Sequence, residues 1–128
     1  MRRSIAGCGA LCALCLLPAL ASAQQPALDP ALVEAVRSSL RSDLRNITSA
    51  QESHFGASST YTLSLHELAR FYAPSPRITV VLLTATNRGY SAIAIHEAVP
   101  GLVCAVFVGS SPPPLGSANQ GEVVCNGP

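Results

Sequence analysis

One stretch constrains this chain more than any other: residues 29–55, where apolar side chains recur at the spacing of a long helix. Val33, Val36, Leu40, Leu44, Ile47 and Phe55 stand three or four positions apart, or multiples of that. On a helix they form a stripe about 100° wide, enough to cover one side of a core. Arg37, Arg41 and Arg45 flank the stripe, and Ser38, Ser39, Ser42, Asn46, Ser49 and Ser53 line the far side. Asp29 offers a carboxylate to the free amides of the first turn, and Pro30 takes the first helical position, where a missing N–H costs nothing. About 25 residues at 1.5 Å each predict a helix about 37 Å long.

Residues 56–59 read as loop. Ser64 and Glu67 have the spacing of a capping box, which predicts one or two helical turns through Phe71, ended by Pro74 and Pro76. From Arg77 the period changes. Residues 78–86 are rich in β-branched side chains and read as a strand. Asn87-Arg88-Gly89 is turn chemistry, with Gly89 free to take a positive φ. Residues 90–97 alternate, with Tyr90, Ala92, Ala94 and His96 on one face and Ser91, Ile93, Ile95 and Glu97 on the other. Val99-Pro100-Gly101 is a second turn and residues 102–108 a third strand. Pro112, Pro113 and Pro114 hold the next segment extended, and residues 122–125 form either a short edge strand or a fastened tail.

The expected architecture is α+β: one long N-terminal helix packed across a three- to four-stranded antiparallel sheet. Ala92 and Ala94 mark the face that meets the helix, because small side chains let it approach closely. Ile93 and Ile95 face the other way, where a solvated antiparallel sheet would alternate to polar residues. Either loops cover that face or it is a contact surface, and Ile93 and Ile95 are its candidate interface residues.

Residues 1–23 read as an export signal: Arg2 and Arg3, an apolar run over 5–20 broken by Pro18, and the small-residue site Ala21-Ser22-Ala23. A retained, uncleaved anchor is the alternative. Residues 24–29 then form a linker and 30–128 a single domain with one modest core. Losing the signal removes Cys8, Cys12 and Cys15 and leaves Cys104 and Cys125. An even pair in an exported chain reads as a disulfide, worth roughly 3 kcal/mol for a loop of that size. The alternatives are two free buried thiols or a metal pair, the latter without a CxxC frame. Losing Arg2 and Arg3 leaves six arginines against seven carboxylates and no lysine, a formal charge of −1. That balance argues against a nucleic-acid partner, which calls for a basic surplus.

Catalytic chemistry finds little to build on. Each histidine lies near a glutamate (Glu52 and His54, His66-Glu67, His96-Glu97), but no HExxH or CxxC frame organises them into a metal site. Serines are plentiful, yet no Gly-x-Ser-x-Gly elbow occurs, and only Asp29 and Asp43 are available as aspartate orienters, both on the helix. The expectation is a non-enzyme without catalytic residues, cofactor or metal.

Asp43-Leu44-Arg45-Asn46-Ile47, then Ala50-Gln51-Glu52 and Phe55, resembles the second half of the long helix in bacterial type IV pilins and pseudopilins. Tyr61-Thr62 with Leu65 and Leu68 resembles their helix-to-sheet loop. Gly89-Tyr90-Ser91-Ala92, with Ala94 and His96, is similar to their second strand. Cys104 and Cys125 are similar to the cysteine pair that closes the pilin C-terminal loop. The chain departs from the family at its N-terminus, where a conventional signal and Pro26 and Pro30 replace the processing site and the hydrophobic helix with its glutamate. The resemblance implies a pilin-like head without its stalk: an exported structural or accessory protein, periplasmic or extracellular. Its partners would be other protein subunits, and cleavage would leave it no stable membrane anchor. The other reading is a small exported ligand- or protein-binding module with no filament role.

The signal reading makes a direct prediction. N-terminal sequencing of the exported protein should begin at Gln24, and recovery of Met1 or of the leucine-rich run would overturn it.

Overall fold

The computed structural model describes residues 26–116 and 119–128. The expected signal, residues 1–23, and the start of the linker at Gln24 and Gln25 lie outside the described residues. Helix α1 (Pro30–Ser58) has 29 residues and is therefore about 43 Å long. Asp29 caps it, accepting the Ala31 N–H at 2.9 Å. Ser59 ends it in the left-handed conformation, φ 59°, and donates its N–H to the Phe55 carbonyl. Val36, Leu40, Leu44, Ile47 and Ala50 form the buried stripe. On the far side Ser39, Ser49 and Ser53 turn their hydroxyls back onto carbonyls one turn earlier, which satisfies them within the helix. Phe55 is only half-buried and stacks on Tyr61, ring centroids 4.7 Å apart.

Helix α2 (Leu65–Leu68) is a single turn, within the one or two expected, but it ends at Leu68 instead of Phe71. Ser64 accepts the Glu67 N–H at 3.3 Å. The return half of the capping box is missing: the Glu67 carboxylate takes the Thr62 hydroxyl, and the Ser64 N–H goes to Thr62 Oγ1 at 3.0 Å. The helix ends at Leu68, where the Phe71 and Tyr72 amides close turns onto the Leu68 carbonyl.

Strands β1 (Ile78–Ala85), β2 (Gly89–His96), β3 (Val103–Gly109) and β4 (Val124–Asn126) form one antiparallel sheet in the order β1-β2-β3-β4. The tail thus contributes the fourth, edge strand. Tyr90, Ala92 and Ala94 face α1 and are fully buried. Across the sheet Ala92 stands between Leu82 and Val106, and Ala94 between Val80 and Cys104. Cys104 is also directly opposite Cys125, and the two form a disulfide.

The glycine at the β1–β2 turn acts differently from the expectation. Gly89 keeps an ordinary φ. A Cβ there would stand 2.2 Å from the Val108 carbonyl oxygen, and one on Gly109 would stand 1.9 Å from that of Arg88. The two backbones approach too closely for a side chain at either position. The positive φ, 66°, belongs to Gly109.

The helix phase sets the first stability prediction. Leu44→Ala should cost roughly 2–5 kcal/mol in chemical denaturation, while Ser42→Ala, on the exposed side, should be nearly silent. Similar losses from both would show the phase to be wrong. A second concerns alkali. Tyr90 lies in the core and donates its hydroxyl to Thr48 Oγ1 at 2.8 Å. Burial chiefly pushes its phenol up to about 12, and burial followed by the hydrogen bond to Asp43 raises Tyr72 as well. A phenol raised above its unfolded value of about 10 stabilises the fold fully below that pH and loses the contribution as pH climbs to the folded value. Denaturation at about pH 8 and about pH 12 should therefore differ by on the order of 2–3 kcal/mol for Tyr90 alone. Tyr90→Phe should shrink the difference.

Candidate interaction surface

The face of the sheet turned away from α1 divides into two ends. At one end the register slips between Leu82 and Thr84, so that Thr84 rejoins the sheet opposite Ser91. The Thr84 and Ser91 hydroxyls lie 2.8 Å apart, and Thr84 donates to Ser111 Oγ at 2.9 Å. Ser91 and Ser111 are both buried. The chain beyond β3 crosses this end, with Pro113, Pro114 and Leu115 half-buried. It returns to the β3 edge, where the Gly121 N–H donates to the Phe107 carbonyl and Gln120 Oε1 accepts the Gly109 N–H, both at 2.8 Å. A hydrogen-bonded loop roofs this half.

The other end is open. Val81, Leu83 and Ile95 are about 40% exposed, with Thr79 beside them and Val103 and Val124 half-buried. Both sequence-derived candidates lie on this face. Ile95 pairs with Thr79 and Val103, and Ile93 with Val81 and Ala105. Ile93 is half-buried, so Ile95 is the more available of the two. The exposed ion pair Arg77–Glu97 borders the patch next to Ile78 and His96, with Arg77 in the left-handed conformation. Val81 and Leu83 belong to the same surface and were missing from the sequence-derived set. The period-2 rule applied to residues 79, 81 and 83 puts them there.

Several polar groups elsewhere hold parts of the fold together. Asp43 is buried and accepts the Tyr72 hydroxyl at 2.9 Å, the Ser75 N–H at 2.9 Å and the Ser75 hydroxyl at 2.6 Å. Buried Gln51 clasps the Thr62 backbone, donating to its carbonyl at 2.7 Å and accepting its N–H at 3.0 Å. Together they fasten the connection between α1 and β1 to the helix. Glu52 accepts the Tyr61 hydroxyl at 3.0 Å, and burial, then that bond, raises the Tyr61 phenol. His54 Nε2 lies 3.8 Å from Glu67, His66 is exposed, and His96 Nδ1 accepts the Ala98 N–H at 3.0 Å. Among the described residues no three His, Cys, Asp or Glu side chains gather into a metal-binding group. Arg37 pairs with Glu34 at 3.4 Å and donates to the Pro128 carbonyl oxygen at 2.7 Å, so this arginine holds the tail. No helix among the described residues is long and apolar enough to cross a membrane.

No protein-family model matches the chain, and no curated protein matches it closely enough to stand as a relative.

Removing the Asp43 carboxylate should strand the Tyr72 hydroxyl and the Ser75 amide. Asp43→Ala is expected to cost roughly 2–4 kcal/mol in urea denaturation, and a loss under about 0.5 kcal/mol would show that the anchor is dispensable.

Proposed function

We propose that this chain is an exported, pilin-like structural or accessory domain that works through protein contacts instead of catalysis. The open end of the outer sheet face carries this reading. Val81, Leu83 and Ile95 stand together without a covering element among the described residues, on a face where a solvated sheet would be polar. The rest of the architecture agrees with a pilin-like head: a long helix laid over an antiparallel meander, with a disulfide fastening the C-terminal strand. The disulfide also fits an oxidising compartment, periplasmic or extracellular, with residues 1–23 acting as the export signal.

Burying the open patch against a partner subunit supplies about 25 cal/mol per Å² of apolar area, less the costs of association. The Arg77–Glu97 pair at its border sets orientation more than affinity, since exposed ion pairs contribute little energy. With Pro26 and Pro30 interrupting any helix that would run upstream into the signal, the domain does not build an ordinary pilus alone.

The test is a Val81→Lys, Ile95→Lys double variant, compared with wild type by thermal melting, light scattering and co-purification from the exporting cell. The expected result is an unchanged melting temperature with association lost. Retained association would sink the interface, and an unfolded variant would place these residues in the core. Regular pili assembled by the purified mature chain alone would overturn the claim that it needs other subunits.

A further inference from the structure

We draw no further inference here: the strongest candidate, the exposed stripe of Leu28, Ala31, Leu32 and Ala35 at the N-terminal end of α1, is an unpartnered apolar patch of two leucines and two small residues, and nothing in the structure shows what covers it.

Discussion

Everything in this fold depends on how closely α1 can approach the middle of the sheet. Leu40, Leu44 and Ile47 reach zero exposure because β2 presents Ala92 and Ala94 beneath them. The larger side chains, Val80 and Leu82 on one side and Cys104 and Val106 on the other, rise around that shallow track. A larger residue at 92 or 94 would lift the helix and open gaps along both flanks, and close-packed interiors do not absorb such a change cheaply. Tyr90 closes one end of the track, its ring 4.9 Å from that of Tyr61 and its hydroxyl tied to Thr48.

Leu68 and Tyr72 tie the connection from helix to sheet into the core, and two buried polar side chains fix its path further. Asp43 and Gln51 lie about two turns apart on the core side of α1 and between them hold Tyr72, Ser75 and Thr62. An unpaired carboxylate or amide in that position would be costly, so alternative paths for the connection are penalised. Geometry of this kind needs specific partners, which hydrophobic burial does not supply.

These points separate what was legible in the sequence from what was not. The 3.6-residue period of α1, the alternation of β2 and the small residues at 92 and 94 each encode a face, and the structure uses those faces. The even cysteine pair, joined here between β3 and β4, was legible in the same way. Asp43 was legible in principle: it stands three residues after Leu40 and four before Ile47, a core phase that its charge disguised. Strict alternation fails at Thr84, because the slip after Leu82 turns it to the outer face, and a bulge leaves no mark on composition. The capping box at Ser64 placed the start of α2 and its single turn, but not its end, which falls at Leu68 instead of Phe71, and Thr62, a residue outside the motif, takes both partners of the box's return half. The roof over Ser91 depends on contacts between residues 27 positions apart, Thr84 and Ser111, which no local pattern announces.

That roof has a bearing on how such a surface diversifies. The loop between β3 and β4 is pinned where it leaves, by Ser111, and where it returns, by Gly121 and the disulfide at Cys125. Its span is free to lengthen or shorten between fixed posts, and doubling a loop adds only about 0.6 kcal/mol of closure entropy. A longer or shorter span would change how much of the outer face around Thr84 and Ser91 lies beneath it. The area offered to the outside is thus adjustable by insertion or deletion, while the helix, the alanine track and the buried anchors beneath stay as they are.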